Sequence, residues 1–112
     1  MGIRFLKQAD LAGDGVGREL AGRDFGVGAC VIIVDAAPGE GPKLHRHPYV
    51  ELLIVLEGTA RFDDGTSTRD VGAGELAIVD ANQPHRFVNA GLGRLRQVDV
   101  HLSAEFITEW LD

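Results

Sequence analysis

Three histidines and one glutamate carry the chemistry this sequence has to offer. In GEGPKLHRHPYVELLIVLEG, residues 39–58, His45, His47 and Glu51 stand two and four positions apart. Side chains alternate along an extended strand, so even separations put all three on one face. Pro48 lies among them and cannot donate to a ladder, which predicts two strand pieces joined by a bend or bulge. His85 opens a second strand in GELAIVDANQPHRFVN, residues 74–89, where Phe87 and Asn89 share its face. If the two strands are neighbours in a barrel, three imidazoles and a carboxylate converge inside it. Neutral imidazole and carboxylate suit divalent transition ions such as Fe, Mn, Ni, Cu or Zn. Three nitrogens and one oxygen leave positions open for water or substrate, the pattern of a working site rather than a sealed one. A lone histidine on an apolar strand is ordinarily a hydrogen-bonded core residue, but four such groups in one register are not explained that way.

The first segment resembles the first cupin motif, G-x5-HxH-x3-E-x6-G, at Gly39, His45, His47, Glu51 and Gly58. The second is similar to the second cupin motif, G-x5-P-x-G-x2-H-x3-N, at Gly74, His85 and Asn89. It departs from that pattern at Asp80 and Asn82, where the family has proline and an inner glycine. Asn tolerates positive φ better than most residues with a side chain, so the turn is expected to survive. The resemblance implies one cupin domain over residues 1–112: an all-β double-stranded β-helix, or jelly-roll barrel. It implies one divalent transition metal per chain on His45, His47, Glu51 and His85, and pairing as a homodimer. Cupins include dioxygenases, isomerases, decarboxylases, sugar-modifying enzymes, storage proteins and ligand-sensing modules, so fold alone does not fix the activity. The open coordination sphere favours a metal-dependent enzyme acting on a small organic molecule, with oxygenase- or isomerase-type chemistry. The alternative is a non-catalytic cupin that binds or senses a small molecule.

The elements that must position these groups are all-β. Fifteen glycines cut the chain into short pieces rich in Val, Ile, Leu and Phe. Strands are predicted near 18–24, 26–36, 43–47, 49–57, 59–64, 66–71, 76–80, 85–90 and 94–102. Asp63-Asp64-Gly65-Thr66 reads as a hairpin turn, and Gly58 ends the strand before it. Only the tail reads as helix: Ser103 suits an N-cap, and Phe106, Ile107, Trp110 and Leu111 recur at helical spacing.

With Glu51 inward, Tyr49, Leu53 and Val55 point inward as well. The opposite face, Val50, Leu52, Ile54 and Leu56, is also wholly apolar and needs a cover, either another sheet of the chain or a second subunit. In LRQVDVHLS, Val98, Val100 and Leu102 oppose Gln97, Asp99 and His101. Two readings stand open: the polar face is solvated, or it lines the barrel. In the second, His101 and Asp99 are the candidate catalytic residues, suited to proton transfer or to orienting a ligand histidine. Arg46 and Arg86, each next to a ligand histidine, should point away from the metal.

The bulk numbers bound the rest. A chain of 112 residues makes one domain with a core. Its net charge of -6 disfavours a nucleic-acid or anionic-membrane partner. One cysteine, Cys30, leaves no intrachain disulfide and fits a reducing cytoplasm; in the run ACVIIV it reads as a buried thiol. No apolar run reaches the ~20 residues that a membrane span needs. The expected partner is a small-molecule ligand or substrate.

Overall fold

The computed structural model describes residues 2–112. Its strands are β1 (Ala12–Gly13), β2 (Gly17–Leu20), β3 (Cys30–Ala36), β4 (His45–Arg46), β5 (Glu51–Glu57), β6 (Thr59–Asp63), β7 (Thr68–Gly72), β8 (Leu76–Val79), β9 (Arg86–Asn89), β10 (Leu95–His101) and β11 (Glu109–Trp110). They form a six-stranded sheet in the order β1-β2-β3-β10-β5-β8, a three-stranded sheet β7-β6-β9 and the pair β11-β4. A bridge between His45 and His85 joins β4 to the start of β9, so the smaller sheets form one wall facing the larger. Every pairing is antiparallel.

Alternation sorts each long strand into an inner and an outer row. Val34, Ala36, Leu53, Val55, Ala60, Val71, Val79, Phe87 and Leu95 make the apolar core between the two walls. Cys30 is fully buried at one end, as its apolar run predicts, and its sulfur accepts the Gly22 N–H at 3.4 Å. The outer row is different. Register places Leu20, Val31, Val100, Leu52 and Ile78 side by side across five strands, with Ile33, Val98, Ile54 and Leu76 in the next row. Among the described residues none covers the far end of this face: Leu76 is 57% exposed and Ile78 65%.

Turns follow the residues that permit them. Gly65 has φ +97 between β6 and β7, and Asp64 Oδ1 accepts the N–H groups of Thr66 and Ser67 at 2.9 Å, closing the predicted Asp-Gly hairpin. Among the described residues, Asn82 alone has positive φ without being glycine, at +67. It does what the family's inner glycine would do, and its N–H donates to His47 O at 2.6 Å, tying the second motif to the first. The predicted strand 18–24 stops at Leu20, because the chain then makes a 3-10 turn at Gly22–Phe25. A Cβ at Gly22 would lie 2.0 Å from Ala29 O, so only glycine fits that turn.

The predicted C-terminal helix is not there. Residues 103–112 run as an irregular strap ending in β11, which pairs with β4 through Glu109↔Arg46 and Trp110↔His45. Ser103 Oγ does accept the Glu105 N–H at 3.2 Å, a cap-like start. Downstream, tertiary partners replace the helical ones: Leu111 N–H donates to Leu44 O at 2.9 Å, and Ile107 O serves a histidine.

Gly58 separates β5 from β6 at φ +85, and a Cβ there would meet Arg94 O at 2.4 Å. Gly65 has a similar φ with open space around it. Gly58→Ala is therefore expected to cost more than Gly65→Ala, which carries only backbone strain of about 1–3 kcal/mol. Urea titration of the two variants checks the order; equal losses would mean the Arg94 carbonyl yields freely.

Candidate metal centre

β5 supplies Glu51, β4 and the bend after it supply His45 and His47, and the residue just before β9 supplies His85. The bridge fixes the two motifs against each other by reciprocal bonds: His45 N–H donates to His85 O at 3.1 Å and His85 N–H to His45 O at 2.9 Å. One ligand atom from each of the four residues lies within 4.8 Å of all the others, and all four side chains are buried. The even spacing in the sequence thus becomes convergence in space. Arg46, on the opposite phase, turns outward and pairs with Glu109 at 2.7 Å.

The imidazoles are set in one tautomer by what lies behind them. His45 Nδ1 donates to Lys43 O at 2.6 Å, His85 Nδ1 to Gln83 O at 2.9 Å and His47 Nδ1 to Ile107 O at 2.9 Å. Backbone carbonyls can only accept, so each Nδ1 carries a hydrogen and each neutral ring has a bare lone pair on Nε2. Two of those lone pairs face one carboxylate: His85 Nε2 is 3.0 Å and His47 Nε2 3.3 Å from Glu51 Oε1. His47 Nε2 is buried with no hydrogen-bond partner. Lone pairs facing a carboxylate oxygen at this range are repulsive unless a proton or a metal ion lies among them. The donor set, three imidazole nitrogens and a carboxylate, fits a divalent transition ion.

Burial holds His45 down to about 4, assisted by its imidazole neighbours, so this ring is a neutral donor at physiological pH. Burial pushes the Glu51 carboxyl up, but positive charge carried among the facing imidazoles of His101, His47 and His85 outweighs it and holds the group well below the ordinary range.

β10 answers the question the sequence left open: its polar face lines the barrel. Gln97, Asp99 and His101 are all buried, whereas Val98 and Val100 lie on the outer face. His101 stands opposite Glu51 in register, with Nε2 3.1 Å from Glu51 Oε2. Tyr49, raised by burial to about 12, keeps its proton and donates to His101 Nδ1 at 2.6 Å. His101 Nε2 then carries a hydrogen, yet it is off the line of a good bond to Glu51 and is left without a partner. His101 is outside the four-residue cluster. Asp99 Oδ1 accepts the Gln97 amide at 2.7 Å. Burial, then the charge on Glu51, raises the Asp99 carboxyl well above its ordinary value despite that bond, which favours its protonated form.

Beside the four ligands opens a cavity of about 640 Å³ that Asp99 and His101 also line, with Ile32, Val34, Leu53 and Phe87 as apolar wall. Phe106, Thr108 and Trp110 of the strap line it too. The helical spacing of Phe106 and Trp110 masked their place here, their aromatic character being the one hint, and no sequence signal marked Thr108.

The sequence profile of the Cupin_2 family, described as a cupin domain, matches residues 32–101. The chain belongs to this cupin family, and its fold is the double-stranded β-helix. No curated protein matches it. A Klebsiella pneumoniae protein with a double-stranded β-helix domain superposes with a TM-score of 0.75 at 20% identity, covering 96% of both chains. Oxalate oxidase gives a TM-score of 0.77 at 23% identity over 96% of this chain and 63% of that one. Bacillus subtilis oxalate decarboxylase, an enzyme described as having Mn(II) centres, gives 0.79 at 22% identity over 95% of this chain and 31% of that one. This chain therefore spans under two thirds of the oxidase and about a third of the decarboxylase. Likeness at this level of identity shows the fold. Among the described residues no helix is long and apolar enough to cross a membrane.

Replacing His47 or Glu51 by alanine is expected to cut metal occupancy sharply and leave the barrel folded, since neither side chain belongs to the apolar core. Elemental analysis of purified variants beside the wild type, with circular dichroism as the fold control, checks this. Full metal content in both variants would remove these residues from the site.

Proposed function

We propose that this cupin is a metal-dependent enzyme that acts on a small oxygen-bearing organic molecule. The observation that carries this reading is a buried carboxyl, Asp99, lining the same cavity as the four-residue donor set. A divalent ion held by His45, His47, Glu51 and His85 would supply Lewis-acid polarisation of a substrate oxygen. The protein's own groups do the rest. Asp99 holds a proton, and Gln97 fixes its carboxyl by donating to Oδ1, leaving Oδ2 to face the substrate. His101, oriented by the Tyr49 hydroxyl, presents an unpaired Nε2–H and is placed to stabilise or relay negative charge. Val34, Leu53 and Phe87 exclude water from the inner wall, which strengthens each of these polar contacts.

Small carboxylates are the first substrates to test, because the superposing oxidase and decarboxylase act on oxalate. Protein loaded with Mn, Fe, Co, Ni or Zn should turn over a member of such a panel, followed by oxygen uptake and product analysis. Asp99→Asn should lower kcat about 100-fold or more, in the range lost with a general acid. Tight binding by calorimetry without turnover in any metal form would instead make this a binding or sensing cupin.

We also propose that the protein pairs as a homodimer across the outer face of the six-stranded sheet. Two adjacent apolar rows run from β2 or β3 to β8, and a face of this kind complements itself across a two-fold axis without any charge to match. Ile3, Phe5 and Leu6 add exposed apolar surface in the N-terminal arm. Light scattering should give twice the chain mass, and Ile78→Lys with Leu52→Lys should halve it. A monomeric wild type at micromolar concentration would end the dimer reading.

A further inference from the structure

The strap that replaces the predicted helix touches two of the ligand histidines directly. Ile107 O accepts the His47 Nδ1–H at 2.9 Å, with Thr108 Oγ1 3.3 Å from the same nitrogen. Trp110 pairs with His45 in register, and its ring centroid lies 5.1 Å from the His45 ring. Next to the Trp110–His45 pair in register, Arg46 and Glu109 form an ion pair at 2.7 Å on the outside.

Besides these contacts, half-buried Phe106 packs edge-on against His101, with ring centroids 5.1 Å apart. Ile107 is 47% exposed and Trp110 59%, so neither is anchored in a core. The two-residue pairing of β11 with β4 and the Leu111 N–H bond to Leu44 O complete its attachment at this end. Upstream, Arg23 N–H donates to Ala104 O at 2.8 Å and Arg23 bonds Glu105 at 3.0 Å, so the segment is tethered before it reaches the site. A surface segment with few buried contacts opens at low free-energy cost. Here, opening would strip His47 of its only close carbonyl partner and uncover the His45 ring.

We propose that the C-terminal strap is a working part of the metal site: Ile107 and Trp110 position the His47 and His45 imidazoles, so that strap docking and ion binding strengthen each other. The inference rests on the reading of His45, His47, Glu51 and His85 as a metal site. Ile107 O acts through His47 by fixing its tautomer, and Trp110 acts through His45 by fixing the ring plane. Such outer partners of ligand histidines typically contribute 10–100-fold to affinity. Coupling is reciprocal: whatever factor the docked strap adds to ion affinity, the bound ion adds to strap docking.

The test uses the full chain with Co²⁺ or Zn²⁺ as the probe, and affinity read by chelator competition. Glu109→Arg sets two guanidinium groups against each other and should weaken binding about tenfold or more. Adding Arg46→Glu restores the pair with its signs exchanged and should recover most of that loss, which a merely damaged fold would not do. Trp110→Ala should weaken binding and Trp110→Phe should largely retain it. In the wild type, Co²⁺ should quench the fluorescence of Trp110, the single tryptophan, and the ion should slow hydrogen exchange at the Leu111 amide. Unchanged affinity in both Glu109→Arg and Trp110→Ala, with wild type binding normally, overturns the strap's role and leaves the metal site standing. A wild type that binds neither ion overturns both.

Discussion

Each of three buried rings gives one nitrogen to a backbone carbonyl, and that constraint organises the rest of the molecule. The carbonyls of Lys43, Gln83 and Ile107 come from three different stretches of chain, yet they impose the same tautomer on His45, His85 and His47. The lone pairs that result have nowhere to point but inward, at a carboxylate. An apolar core would be satisfied by filling space. This one is satisfied only by positive charge, and the surrounding walls are arranged around that demand.

Polar groups are layered outward from this centre. Glu51 meets His101, His101 meets Tyr49, and Gln97 meets Asp99, all on inward positions of β5, β10 or the bend before β5. Because inward positions recur every second residue, the same alternation that buries Leu53 and Val55 also buries Glu51. The β-helix can therefore carry a polar cluster at one end of its interior and an oily one at the other without changing its backbone. Asn89 shows the same economy: its amide donates to Ala36 O and Gly93 O, closing the loop that leads into β10.

Much of this was legible in the sequence, for a physical reason. The spacing of His45, His47 and Glu51 encodes a shared face whatever the fold, and the Asp-Gly and Asn82 turns follow from local conformational preference. What local pattern cannot encode is which face of an alternating strand turns inward. For β10 that was decided by pairing with β5, which sets His101 against Glu51. The tail misled for the converse reason. Phe106, Ile107, Trp110 and Leu111 have helical spacing, but one strand pairing and two backbone bonds to the site region compete successfully with helix formation in so short a segment. Helical spacing placed aromatic residues on one stripe; the strap instead spreads them along the cavity's rim.

The edges of the larger sheet have a consequence of their own. At one margin lies β1, two residues long, with Gly13 at φ +111; at the other lies β8, four residues long. An exposed strand margin is a template on which a foreign chain can crystallise into fibrils, and brevity is one of the ways natural sheets refuse it. Here the margins are too short to offer a long run of free amide and carbonyl groups, while the oily surface between them is broad. Any self-association of such a sheet would be steered away from lateral, open-ended growth and toward stacking, a geometry that closes after a single step.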